Sequence, residues 1–223
     1  MTRSTPPGED SGAGRLLWRG AEADIVADEW QGLDAVFKIR RRLQYRIPVL
    51  DDAIRLQRTV HEAQMIHAAR EAGTPVPAIY YVDPGEATIV MERVGGQRVK
   101  DVIGQASSGD LRSLFYLIGA DVAGMHAANI THGDLTTANM IRSGGRVVYV
   151  DFGLSMHSTR VEDRAVDLRL AKETVLGAHS ERSEAALKAL TEGYESEAGA
   201  KCARAVMTQL RNIERRGRYA RVV

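Results

Sequence analysis

Two short segments in the middle of the chain limit what it can fold into more than any other feature. Thr131-His132-Gly133-Asp134-Leu135-Thr136-Thr137-Ala138-Asn139 sets a carboxylate five residues before a carboxamide. The apolar run Val147-Val148-Tyr149-Val150 then ends in Asp151-Phe152-Gly153. A short apolar run with polar flanks reads as a buried strand, so Asp151 leaves a strand end. Phosphoryl transfer requires a divalent metal bridging phosphate oxygens, and hard oxygen ligands must reach that metal from more than one segment. Asn139 and Asp151 are the expected metal ligands. Asp134, in the loop that carries Asn139, is expected to orient an attacking hydroxyl or water and accept its proton. The plainer alternative is a turn at a strand end, with Asp151 capping and Gly153 at a positive φ.

Such a site needs nucleotide, and the first ~95 residues read as strands around one helix. Leu33 to Ile39 has the pattern of a half-buried strand introduced by a turn at Gln31-Gly32. Lys38 lies inside it, where a charged side chain needs a partner. Ala53, Leu56, Val60, Ala63 and Ile66 recur at helical spacing within Leu50 to Ala72, and Gly73, Pro75 and Pro77 end the run. Glu62 on that helix is the expected partner of Lys38, while Asp51 and Asp52 are expected to cap the helix start. Strands over Ala78 to Asp83 and Ala87 to Val94 follow, with a turn at Pro84-Gly85. Met91 and Glu92, near the end of the second, are assigned to the nucleotide pocket.

The order of lysine, glutamate, Asp-to-Asn pair and Asp-Phe-Gly is that of kinases. Kinases cover the phosphates with G-x-G-x-x-G. Here only Gly20-Ala21-Glu22-Ala23 precedes a strand from Asp24 to Asp28, so backbone approach to phosphate is less close. Gly133 stands where an arginine usually pairs with a phosphorylated activation loop. Glu162 to Asp167 follows Gly153 within about ten residues, without an Ala-Pro-Glu, so the peptide-substrate platform is missing.

The expected fold is α+β: a protein-kinase-like two-lobed fold with a small β-rich N-lobe holding one helix, and a reduced, mainly helical C-lobe. The divisions expected are a flexible tail over 1–14, the N-lobe over 15–94, the C-lobe over 95–215 and a basic tail over 216–223. Gly95-Gly96 is the expected hinge. Helices are expected over Leu111 to Met125, Asp163 to Leu176, Ser183 to Tyr194 and Gly199 to Arg215. The 223 residues suffice for such a core. With 44% hydrophobic and 26% charged residues, disorder, collagen and coiled coil are excluded. One cysteine, Cys202, excludes an internal disulfide and suits a cytoplasmic location; it is expected to be a small buried hydrophobe. No apolar run is long enough to cross a bilayer, so no membrane partner is expected. No histidine pair has metal-ligand spacing, and His132 is expected to hold the Asp134 loop by packing and hydrogen bonding.

With its further signatures, the sequence resembles the small atypical kinase subunit of the KEOPS (EKC) complex, the archaeal and eukaryotic family that includes PRPK. The resemblance runs from Trp18 to Arg218. It rests on Gly20 to Ala23, Tyr45-Arg46-Ile47-Pro48-Val49-Leu50-Asp51, Arg58-Thr59-Val60-His61-Glu62-Ala63, the two segments above, and Glu162-Asp163-Arg164-Ala165-Val166-Asp167-Leu168. General kinases lack the Tyr-Arg-x-Pro and Glu-Asp-x-Ala-Val-Asp blocks. The resemblance implies an ATPase or Ser/Thr kinase that uses ATP and Mg and supports formation of threonylcarbamoyladenosine on tRNA. It implies nucleotide contacts from Gly20, Ala21, Glu22, Ala23, Lys38, Glu62, Met91 and Glu92, with Lys38 and Asp134 catalytic. It further implies a threonylcarbamoyl-transferase partner on the C-lobe and a small regulatory subunit on the N-lobe.

Net charge is only +1, with 30 basic and 29 acidic residues, which argues against a protein that coats nucleic acid. Two basic groups stand out all the same: Lys38, Arg40, Arg41, Arg42 and Arg46, and Arg211, Arg215, Arg216, Arg218 and Arg221. The second could meet tRNA phosphates, with Tyr219 stacking on an unpaired base, or be a solvated helix end, and the first reads the same two ways except for Lys38, which belongs to the nucleotide site. Two other readings compete with the ATPase or kinase: a nucleotide-responsive scaffold bridging partners and tRNA, and a small-molecule phosphotransferase.

Overall fold

The computed structural model describes residues 14–176 and 180–219; the expected tail over 1–14 falls, but for Gly14, outside them. Five strands form the N-terminal sheet: β1 (Arg15–Arg19), β2 (Ala23–Trp30), β3 (Leu33–Arg40), β4 (Ile79–Asp83) and β5 (Thr88–Glu92). Their order is β1-β2-β3-β5-β4, with every neighbour antiparallel, so β3 is central. Gln31 and Gly32 both take positive φ, 52° and 82°. That is the two-residue hairpin turn whose twist matches the strands it joins.

Between β3 and β4 runs α1 (Pro48–Glu71), two residues longer at its start than the apolar spacing indicates. Proline is pre-set for the first helical position. This early start overturns the assignment of Asp51 and Asp52 as caps. Ile47 is the N-cap and makes no side-chain cap bond, which places both aspartates inside the helix. Asp51 instead accepts from the Leu43 amide (3.3 Å) and from Arg46 (3.4 Å), and Asp52 pairs with Arg42 and Arg55.

The C-terminal part is helical around two small sheets. It comprises β6 (Gln97–Arg98), α2 (Val99–Val102), α3 (Ser108–Ala127), β7 (Ile130–Thr131), β8 (Met140–Ser143), β9 (Arg146–Tyr149) and β10 (Met156–His157). Helices α4 (Val161–Leu176), α5 (Ser180–Ala198) and α6 (Ala200–Tyr219) complete it. The order β6-β8-β9 ties the chain beyond Gly95-Gly96 directly to the strands around the Asp134 loop. A single apolar cluster joins Met65, Ile66 and Ala69 of α1 to Phe115 and Ile118 of α3, Phe152, and Leu168 of α4. The helix that carries Glu62 is thereby anchored in both parts.

Helix α6 continues past Arg215 to Tyr219, so the first half of the expected basic tail is helix; residues 220–223 lie outside the described residues. Cys202, on α6, is half-buried and accepts from Arg164 at 3.6 Å. Among the described residues no helix is long and apolar enough to cross a membrane.

Helices α3 and α5 cross at glycines. A Cβ at Gly193 would sit 1.9 Å from the Tyr116 carbonyl oxygen, and one at Gly119 would sit 2.1 Å from that of Leu190. Gly193→Ala must push the helices apart, and overpacking of this kind costs about 2–3 kcal/mol. A thermal melt should show the loss, and an unchanged Tm would contradict the crossing.

Beside this crossing, the fully buried Tyr149 donates to Asp121 at 3.3 Å. Burial pushes the Asp121 carboxyl up to about 6, although the Tyr149 bond pulls the other way. An unfolded aspartate titrates near ~3.9. The folded state therefore holds the proton more tightly, and stability is lost as pH rises from about 4 through 6. Asp121→Asn should raise Tm at pH 7.5 and leave it unchanged at pH 4. Equal Tm values at both pH values would refute this coupling.

Candidate active site

Strand periodicity puts Lys38 and Arg40 on one face of β3, because residues two apart share a face. Both are buried, and Glu62 of α1, with 0% exposure, sits against them. Lys38 Nζ donates to Glu62 Oε1 at 2.7 Å and to Asp151 Oδ1 at 2.6 Å. The pairing of Lys38 with Glu62 read from the sequence is therefore present. Burial alone would lower the Lys38 ammonium, but Glu62 and Asp151 outweigh it and hold Lys38 above its usual value. Burial likewise works to raise Asp151, yet Lys38 and the Gly153 amide hold its carboxyl below the usual carboxylate range.

Asp151 itself takes φ 66°, a left-handed conformation, and Gly153 does not. This reverses the simple strand-end turn, in which the glycine would take the strained position. A non-glycine residue there costs about 1–3 kcal/mol, which the surroundings must impose. They do so through a tight turn. The Ser155 amide (3.1 Å) and hydroxyl (2.6 Å) both donate to the Phe152 carbonyl. His61 of α1 meets the Ser155 carbonyl at 2.8 Å.

The Asp134 loop is braced as tightly. Asn139 Nδ2 donates to Asp134 Oδ2 (2.8 Å) and to the Asp134 carbonyl (3.0 Å). With its amide nitrogen so engaged, Asn139 turns its oxygen to the other side. The Val150 amide donates to the Asn139 carbonyl at 3.0 Å, which ties the backbone of Asn139 to the residue just before Asp151. An amide oxygen and a carboxylate are hard donors, and Mg-type sites take one or two such protein ligands and fill the remainder with phosphate oxygens and water. Asn139 and Asp151 fit that demand. Among the described residues no group of three His, Cys, Asp or Glu side chains could hold a metal by itself.

His132 does hold the loop. Its ring lies 4.7 Å from that of Phe152, its Nδ1 accepts from the Asp134 amide (3.3 Å), and its Nε2 therefore donates to the Val150 carbonyl (3.2 Å). Burial lowers its pKa, in keeping with a neutral ring. Gly133 has a plain reason to replace arginine: φ is 77°, and a Cβ there would lie 2.2 Å from the Leu154 carbonyl oxygen.

Glycine-poor as it is, the turn at Gly20 to Ala23 is fastened by arginines. Arg41 donates to the carbonyls of Gly20 (2.5 Å) and Ala21 (3.2 Å), and Glu22 pairs with Arg46 (2.9 Å) and with Arg58. Glu22 is thus taken up in anchoring the turn. The first basic group is likewise paired with acids of this chain, Glu22, Asp24, Asp51, Asp52 and Glu62, although the Arg42–Asp52 pair is exposed. Met91 and Glu92 end β5, where Met91 is buried and Glu92 Oε2 accepts from the Ala78 amide at 3.1 Å.

Sequence reasoning did not single out Asp167 as a site residue. This buried carboxylate on α4 accepts from the amides of His132 (2.5 Å) and Gly133 (2.8 Å) and faces His126 Nε2 at 3.3 Å. Its signal was present: a charge between Val166 and Leu168 on a helix that must pack. Arg40 was missed as well; it was read only as one member of a basic run.

Fold and site together define a kinase-like protein. A profile of the RIO domain matches residues 48–168, and the chain belongs to the RIO-domain family, a family of atypical kinases. It is 34% identical over 211 residues to the KEOPS complex subunit Bud32 of Pyrococcus abyssi, covering 92% of this chain and 96% of that protein. It is 39% identical over 203 residues to a probable serine/threonine-protein kinase BUD32 homolog of Archaeoglobus fulgidus, covering 91% and 95%. A probable bifunctional tRNA threonylcarbamoyladenosine biosynthesis protein of Methanobrevibacter smithii is 36% identical over 204 residues. This chain spans 36% of the length of that larger relative.

Removing the Asp167 carboxylate leaves two buried amides without an acceptor. Asp167→Ala should lower stability by about 3–5 kcal/mol, as for a broken buried charged network. Asp167→Asn keeps one acceptor oxygen and should lose less. Denaturant unfolding of both checks this, and equal stability to the parent chain would refute the bracing role.

Proposed function

We propose that this chain is an ATP-dependent phosphotransferase or ATP hydrolase that uses Mg and acts as the kinase-like subunit of a KEOPS complex, in support of threonylcarbamoyladenosine formation on tRNA. One observation carries the reading: the lysine of a central strand, a buried helix glutamate and a strand-end aspartate meet within 2.7 Å, beside a paired Asp134 and Asn139.

Lys38 would bind the α- and β-phosphates, with Glu62 holding it in place. Gly20 to Ala23 would cover the phosphates, and Met91 and Glu92 would line the base pocket. Asn139 and Asp151 would hold Mg, which when bound neutralises phosphate charge. Asp134 is held through Oδ2 by Asn139, which leaves Oδ1 to face an attacking hydroxyl or water. As the new O–P bond forms and the bond from the γ-phosphorus to ADP breaks, Asp134 accepts the proton of the attacking oxygen. The short connection from Gly153 to α4 leaves little room for a peptide platform, which favours water or a partner-held hydroxyl as acceptor.

In the assembly, a threonylcarbamoyl-transferase subunit would dock on the part from residue 95 onward and a small regulatory subunit on residues 15–94. The basic end of α6, with Arg215 and Arg216 exposed, supports a tRNA contact there. The names of the relatives support complex membership, and the shared length with the Bud32 proteins supports the subunit reading.

The test is ATP turnover with Mg, measured for the chain alone, with a transferase subunit, and with tRNA. Asp134→Ala and Asp151→Ala should each lose at least about 10²-fold in turnover with folding intact. Normal hydrolysis by both variants would exclude this mechanism. Full tRNA modification by a reconstituted complex carrying Asp134→Ala would favour the scaffold instead.

A further inference from the structure

Lys38 is not the only cation buried against Glu62. Arg40, 6% exposed, donates from Nη2 to Glu62 Oε2 and from Nη1 to Thr59 Oγ1 at 3.4 Å. The carboxylate is therefore divided: Oε1 goes to Lys38 and Oε2 to Arg40. Arg40 is fixed in turn. Its amide donates to the Ala87 carbonyl (3.0 Å), and Arg55 Nε donates to its carbonyl (3.0 Å). The pair also lies beside the Asp151-Phe152-Gly153 turn: a Cβ on Gly153 would lie 3.7 Å from both Arg40 Nη2 and Glu62 Oε2.

Lys38 has two competing duties. In this structure it spans Glu62 and Asp151, yet the proposed reaction needs its ammonium on phosphate and Asp151 on metal. Once Lys38 shares its charge with phosphate, a fully buried Glu62 with no other cation would be undercompensated, and buried carboxylates in that position take up a proton or move. Arginine remains charged in any such setting, and its planar fork fixes direction as well as charge.

We infer that Arg40 is a positioning residue of the nucleotide site: it holds Glu62 oriented through Oε2 while Lys38 engages the nucleotide phosphates. Arg40 does not touch substrate; it acts on Lys38 through Glu62. The inference rests on the ATP-dependent reading above.

A double-mutant cycle tests it on the full chain, with Arg40→Met, Glu62→Gln and the double variant. ATP turnover is measured as kcat and KM, and thermal unfolding sets a temperature at which all are folded. Arg40→Met should lower kcat/KM for ATP by on the order of 10²-fold, the usual effect of a misplaced reacting group. Arg40→Lys should recover a large part. In the Glu62→Gln background, Arg40→Met should cost less than about 2-fold more, because its path is already cut. If Arg40→Met does not fold, Arg40→Gln takes its place, since it keeps a donor for Thr59 and loses the charge. Equal fold-losses in both backgrounds would overturn the inference, as would lower Tm with unchanged kinetics. If the parent chain turns over no ATP, or Lys38→Met leaves turnover unaltered, the ATP-dependent reading itself fails.

Discussion

Everything at the centre of this molecule depends on neutralising one carboxylate that water cannot reach. Glu62 has 0% exposure, and a lone ionised carboxylate in that position would not persist. It persists because the central strand presents two cations on a single face. That pairing joins the sheet to α1, and α1 is joined by Met65 and Ile66 to the large apolar cluster. The same charge arrangement therefore serves both as cross-brace and as the floor of the candidate site. A buried ion pair is weak evidence for net stability but strong evidence for fixed geometry, since breaking one side leaves a bare charge.

A second buried carboxylate does for the C-terminal part what Glu62 does for the first. Asp167 gathers the amides of His132 and Gly133, and His132 passes the constraint on to Phe152, Val150 and Asp134. Asp134 and Asp151 are thereby held by one hydrogen-bonded frame although 17 positions separate their numbers in the sequence. The left-handed backbone of Asp151 is affordable in this frame because Ser155 and His61 clasp the turn beyond it.

Much of the fold was legible beforehand because it is local. The 3.6-residue period of α1, the Gln31-Gly32 turn and the apolar run into Asp151 each follow from neighbours in the chain. Element ends were less legible: α1 begins at Pro48, and α6 runs on through Gly217 to Tyr219. The partner of Lys38 was also legible, because a charge inside an apolar strand demands an opposite one nearby. Asp51 shows the limit. Its sequence position suits a cap, but its actual partners, Leu43 and Arg46, are set by how the β3–α1 connection folds back.

The arginines mark the same boundary. As a string, Arg40, Arg41, Arg42 and Arg46 look like one basic surface open to a polyanion. Folded, they turn to different acids and carbonyls, and Arg40 becomes part of the candidate site. By itself the sequence determined the chemistry available: which oxygen donors, which lysine, and which elements carry them. Only the tertiary structure decided which charges meet, because pairing depends on distances of a few ångströms between segments far apart in the chain. Desolvation then makes those few pairings obligatory, and composition and spacing do not record it.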